Sequence, residues 1–197
     1  MERKADCSLA IRKATLACAM AIAVLAGTML KGSPLKAAEG DVVVKLHPVS
    51  RKGVDERTEF GTVTLAADPK GGVGFSVLAS GLPQGNHFVE LHSGGSCAPG
   101  KVNGRTTAAG AAGNMYAPKG AKVIQSDNAR GFTGRLPDIE IGADGTGNVA
   151  GSVQGVSMSQ LAGRTIIIQG QGNNTLDPLA PMATQRGRLA CGVIPRN

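Results

Sequence analysis

The sequence predicts an all-β domain, an antiparallel sandwich or barrel, carried behind a short leader. Three observations predict it. Eight short stretches alternate apolar and polar residues with a period of two. Turn signals rich in glycine, proline and aspartate separate them. Glycine is abundant (29 residues) while aromatics are few (3%), which fits a protein of many tight turns better than a helix bundle.

The leader comes first. MERKADCSLAIRK (1–13) is basic, ATLACAMAIAVLAGTML (14–30) carries no charge, and KGSPLKAA (31–38) ends in small residues. A basic start, an apolar run and a small-residue end read as a secretory signal peptide, with cleavage expected near Ala37 or Ala38. The alternative is a permanent anchor helix, but the run is at the short end of what spans a bilayer and Pro34 follows closely. Cys18 sits early in the apolar run with Thr15 three residues before it, which argues against a lipoprotein. The expected organisation is a signal peptide at 1–38 and one β domain at 39–197, periplasmic or secreted, with no permanent membrane anchor.

Removing the leader changes the charge. Six of the 21 basic and two of the 14 acidic residues lie in it, so a formal charge of +7 falls to about +3. The remaining basic stretch at 186–188 lacks the interleaved aromatics of single-strand binders, and nucleic acid is not an expected partner. Hydrophobic residues at 42% and a mean hydropathy near zero exclude both a disordered chain and a multi-span membrane protein.

Two of four cysteines leave with the leader. Cys97 and Cys191 remain, and in an oxidising compartment such a pair most simply forms one disulfide; the alternative is two buried thiols. Closing so long a loop stabilises by about 4–5 kcal/mol at most in the chain-entropy model.

The β stretches follow in order: DVVVKLH (41–47), FGTVTLA (60–66), GFSVLA (74–79), HFVELH (87–92), IEI (139–141), GNVAGSV (147–153), TIIIQ (165–169) and GRLACGV (187–193). DPKGG (68–72), LPQG (82–85) and ADG (143–145) mark turns. Residues 94–137 break the pattern. They are rich in Gly, Ala, Asn and Lys and hold no strand longer than a few residues. A loop that long in a compact domain is usually functional and needs a tether, and Cys97 sits near its start. There are no internal repeats, no glycine-rich phosphate cradle and no nucleophile elbow.

At these residues a resemblance enters. GLPQGNHFVELHSGGSC (81–97) resembles the copper-ligand stretch of bacterial copper/zinc superoxide dismutases, and AGAAGNMYAP (109–118) and GFTGRLP (131–137) resemble the start and end of their zinc loop. GRTIIIQ (163–169) and GRLACGVI (187–194) resemble their last two strands. The resemblance implies an eight-stranded Greek-key β-barrel with a long disulfide-tethered loop.

It does not carry the chemistry with it. In the family's H-x-H pair the first position is Glu90 and only His92 survives; the bridging histidine falls on Met115 and the last copper histidine on Gln169. The other zinc positions are Ile124, Phe132 and Arg135, and the aspartate that orients both metals is Asn173. His87 matches a structural histidine. Zinc needs lone-pair donors in tetrahedral array, which Ile124 and Phe132 lack, and Arg135 adds a positive charge; zinc is excluded at that position. Burying Ile124 and Phe132 would contribute about 1.5–3 kcal/mol each as a replacement fastening. Glu90, His92, Met115 and Gln169 could still surround one copper ion, although a carboxylate and an amide suit Cu(I) poorly. The bland reading of His92 is a buried histidine in a polar remnant.

Arg188 matches the family's anion-steering arginine. Alternatively, it neutralises Glu90, and Arg188 or Arg135 is expected within ion-pair reach of that carboxylate. The leading expectation is an exported, metal-depleted, non-catalytic binding or structural module. The alternatives are a copper-dependent dismutase with unorthodox ligands and a periplasmic protein that sequesters copper on His92 and Met115. The physiological partner has no motif, and a homodimer stays open.

Overall fold

Alternation of apolar residues turns into strands because a pleated backbone sends successive side chains to opposite faces, so one face can be buried. The computed structural model describes residues 40–124, 134–170 and 187–196. The leader, Phe132 and Asn173 lie outside the described residues, and of Ile124 only the backbone is described.

The strands in chain order are β1 (Val42–Ser50), β2 (Gly53–Val54), β3 (Gly61–Ala67), β4 (Val73–Ala79), β5 (Gly85–His92), β6 (Gly100–Val102), β7 (Arg105–Thr107) and β8 (Lys122–Ile124). Then come β9 (Ile139–Ile141), β10 (Gly147–Gln154), a single helical turn α1 (Met158–Leu161), β11 (Thr165–Gly170) and β12 (Arg188–Val193). Each of the alternating stretches is a strand, with ends shifted by a few residues at most. The long 94–137 segment supplies the short extras β6, β7 and β8.

Pairing runs β10-β4-β3-β1-β12-β11-β5-β9, all antiparallel, and β9 lies back against β10, so the eight strands make a nearly closed barrel. The chain crosses from β4 to β5, and again from β10 to β11, each time passing two intervening strands. These are the Greek-key crossovers that the resemblance implies. Closure removes the exposed edges of an open sheet. β8 adds to the far end of β10, with Ile124 opposite Ser152, so the returning loop contributes backbone pairing to the wall.

The interior is filled by the inward residues of the barrel strands, among them Leu46, Val63, Val77, Val89, Ile166 and Ile168, each 0–1% exposed. β11 is apolar on both faces. Ile166 and Ile168 point into the barrel, while Ile167 is equally buried outside it, in a second cluster with Cys97, Ala109, Ala112 and Cys191. A strand covered on both sides reads as a continuous apolar run, which explains TIIIQ. That second cluster is what the long loop covers.

Turns set the register. At 68–72 the Lys70 N–H donates to Asp68 Oδ1 (2.8 Å) and the Gly71 N–H to the Asp68 carbonyl (2.8 Å). Gly72 has φ +99°, and a Cβ there would meet the Val153 carbonyl at 2.2 Å, so only glycine lets β4 start beside β10. The β9–β10 turn uses Asp144, whose Oδ1 accepts from the Thr146 N–H (3.0 Å) and hydroxyl (2.8 Å).

Candidate functional site

β5 presents Phe88, Glu90 and His92 on the outer face of the barrel, opposite Gln169, Ile167 and Thr165 of β11. An outward face is normally wet. Here Glu90 is 8% and His92 2% exposed, because the long loop folds back over them. Two returning segments run along the edge of β5. In the first, the Ser93 N–H donates to the Asn114 carbonyl (2.9 Å), the Gly94 N–H to Ala112 (2.7 Å), and the Tyr116 N–H to Leu91 (2.7 Å). In the second, the Leu91 N–H donates to Gly134 (2.7 Å) and the Leu136 N–H to Val89 (2.9 Å). These bridges place Met115 beside His92 and Arg135 beside Glu90. Gly134, at φ +90°, lies where the segments meet; a Cβ there would stand 2.7 Å from the Met115 Cβ.

The tether is the Cys97–Cys191 disulfide, with Cα atoms 5.8 Å apart, as the even cysteine count predicts. It shares the work. Arg164 lies over the Tyr116 ring (3.4 Å from Cζ to the centroid) and donates to the carbonyls of Ser93 (3.0 Å) and Gln160 (2.7 Å). The backbone bonds along β5 and this arginine fasten the loop together with the disulfide.

His92 is held at both ring nitrogens. Nδ1 lies 2.9 Å from the Gly113 carbonyl, which can only accept, so Nδ1 carries a proton. Nε2 lies 3.3 Å from Glu90 Oε2, and both side chains are buried. The arginine expected to neutralise Glu90 is therefore replaced by a histidine. Among the described residues neither arginine closes an ion pair with Glu90. Arg188 Nη1 donates to the Ala109 carbonyl (2.5 Å), and Ala109 is fully buried in a left-handed conformation at φ +48°. Arg135 lies over the Phe88 ring (3.4 Å) with Nε 3.9 Å from Asp138 Oδ1. Each arginine is engaged elsewhere: Arg188 by the Ala109 carbonyl on the long loop, Arg135 by the Phe88 ring on β5 and the Asp138 carboxylate. Arg188 still senses Glu90. Burial pushes the guanidinium's pKa down, and the Glu90 charge partly offsets this.

A cavity of about 390 Å³ opens between β5, β12 and the loop, lined by Glu90, His92, Met115 and Arg188 together with Lys101, Val102, Asn103 and Asn114 among others. Of the four expected copper-pocket residues three meet here. Gln169 shares their face but lies opposite Phe88, away from the lining, and Met115 is 46% exposed at the rim. Lys101, Asn103 and Asn114 had not been expected. The Asn103-Gly104 dipeptide, at φ +50° and +77°, is the readable signal for the β6–β7 hairpin that brings the first two over the cavity.

His87 sits on the inner face, fully buried, and donates from Nε2 to the Pro83 carbonyl (2.7 Å), while Nδ1 has no partner among the described residues. Burial pushes its pKa below the ordinary 6.5, against the bond to Pro83. Its place is structural, as the resemblance implies.

Comparison with known proteins bears on the whole arrangement. A family model described as copper/zinc superoxide dismutase matches residues 59–194. The chain belongs to the copper/zinc superoxide dismutase family. It is 32% identical over 177 residues to "Superoxide dismutase [Cu-Zn] 1" of Salmonella typhimurium, covering 88% of this chain and 96% of that one. It is 34% identical over 139 residues to the Brucella abortus enzyme, covering 69% and 79%. The solved Brucella abortus structure superposes with a TM-score of 0.61 at 29% identity, over 78% of this chain and 99% of that one. A superoxide dismutase-like protein from Bacillus subtilis, solved as a double mutant, shares the fold at 22% identity and a TM-score of 0.55. Among the described residues no three His, Cys, Asp or Glu side chains gather as a metal-holding group, and no helix is long and apolar enough to cross a membrane.

Proposed function

We propose that this chain is an exported member of the family that has exchanged its metal chemistry for a non-catalytic binding role. The observation that carries the reading is the Glu90–His92 pair. The one imidazole kept from the copper set has Nδ1 committed to Gly113 and Nε2 turned to a carboxylate 3.3 Å away. The residues present do not fit the family's metals. Copper that cycles between oxidation states calls for several imidazoles, and this cavity offers one, with a carboxylate and a half-exposed thioether. At the zinc positions Arg135 is a cation engaged with Phe88 and Asp138, and neither Ile124 nor Phe132 has a lone pair to donate.

Export is supported by the leader pattern and by a disulfide of the kind that persists in oxidising compartments. Cell fractionation tests it: the protein is expected outside the cytoplasm with its leader removed, and a full-length cytoplasmic product overturns it.

One experiment tests the binding role against the alternatives. Protein purified from its own compartment is analysed for metal, then loaded with copper and assayed for superoxide consumption. No bound metal and no turnover are expected. Stoichiometric copper with turnover replaces this reading with a dismutase of unorthodox ligands. Copper without turnover points to sequestration, for which Met115 beside His92 at the rim is the favouring observation.

A further inference from the structure

The cavity is lined by two opposite charges, Glu90 and Arg188. Glu90 is buried and fastened through Oε2 to His92. Arg188 is half-buried and fastened through Nη1 to the Ala109 carbonyl, inside the second apolar cluster's edge. Among the described residues no ion pair joins the two, so a carboxylate and a guanidinium face one cavity while interacting only at longer range. Glu90 has only the imidazole, and Arg188 only a neutral carbonyl, as direct partners among the described residues, so each charge retains bonding capacity that a ligand in the cavity can complement. The volume, about 390 Å³, lies in the range of small-molecule sites.

We propose that this cavity binds a small free α-amino acid as its zwitterion, with the ammonium on Glu90 and the carboxylate on Arg188. The ammonium is a compact donor that matches a carboxylate held in place from behind by an imidazole. A guanidinium with one N–H committed keeps a planar edge for a carboxylate, which it can grip with two bonds. Lys101 adds positive charge to the lining, and Val102 and Met115 offer apolar walls to a side chain. A simple anion meets repulsion from Glu90, and a simple cation meets Arg188 and Lys101. Only a ligand that carries both charges is complementary to both ends.

The proposal rests on the non-catalytic reading. Its test is calorimetric titration of the full mature chain with L-alanine, L-serine and L-methionine, with acetate and methylammonium as the two half-ligands. At least one amino acid is expected to bind at one per chain, about 10- to 100-fold tighter than either half. Glu90→Gln offers an amide donor to His92 Nε2 and so keeps the contact, and is expected to weaken the amino acid by a similar factor while acetate, freed of the Glu90 repulsion, binds as tightly as to the unaltered chain or more tightly. Arg188→Lys keeps the charge but loses the planar edge, and is expected to weaken amino acid and acetate alike. Acetate binding as tightly as the amino acids, unchanged binding by Glu90→Gln, or no amino acid bound by metal-free protein overturns the proposal alone. Stoichiometric copper occupying the cavity in the same preparation overturns the metal-free reading beneath it.

Discussion

His92 and Glu90 are neighbours on one face of β5, and the loop leaves both buried at the wall of the cavity. Their contact is unequal in what each can lose. His92→Ala leaves the Glu90 carboxylate buried without its partner and the Gly113 carbonyl without its donor. We expect a loss of about 2–3 kcal/mol, read as a lower midpoint in urea denaturation. Glu90→Gln, which can donate to Nε2, is expected to cost less than about 1 kcal/mol in the same measurement. His87 carries the pH dependence at this scale. Its pKa is lowered in the folded chain, so the unfolded chain binds the proton more readily. The neutral form's contribution is complete above pH 6.5 and is lost as the pH falls below that value and through the lower folded one. Thermal melts are expected to show stability declining below about pH 6.5, and His87→Gln to flatten that slope. A variant with the wild-type slope places the effect on another group.

At the scale of elements, the two loop segments beside β5 depend on Gly134. It combines φ +90° with a site where a Cβ meets the Met115 Cβ at 2.7 Å. Gly134→Ala therefore adds both backbone strain and overpacking, and is expected to cost about 1–3 kcal/mol. Hydrogen exchange at the amides of Leu91 and Tyr116 is expected to quicken in that variant, because their bonds border the glycine. The strands themselves were legible: alternation located all of the barrel strands, since period two and a buried inner face are one physical fact. β6, β7 and β8 were not. Each has three residues or fewer of alternation, too few to carry a pattern, and each is a strand only because a partner lies beside it.

For the whole molecule, the disulfide joins β12 to the start of the loop and closes a span of 94 residues. Replacing both cysteines with serine is expected to lower stability by at most about 4–5 kcal/mol. The loop is also secured by Arg164 and by its bonds to β5, so the barrel is expected to stay folded while exchange rises over residues 94–116. Loss of the barrel's far-ultraviolet strand signal in the reduced protein would instead make the disulfide the fold's main support.

The sequence by itself determined the barrel, the cysteine pair and which residue types stand at the family's ligand positions. These depend on residue type and period: a strand needs alternation, a disulfide two thiols, a metal lone pairs. Only the tertiary structure decided what the surviving polar residues do. Glu90 meets His92 rather than an arginine because side chains two apart on a strand share a face, whereas Arg188 and Arg135 are claimed first by Ala109 and by Phe88 with Asp138. Those competitions are settled by distances between segments far apart in the chain, and no local pattern of residues contains them.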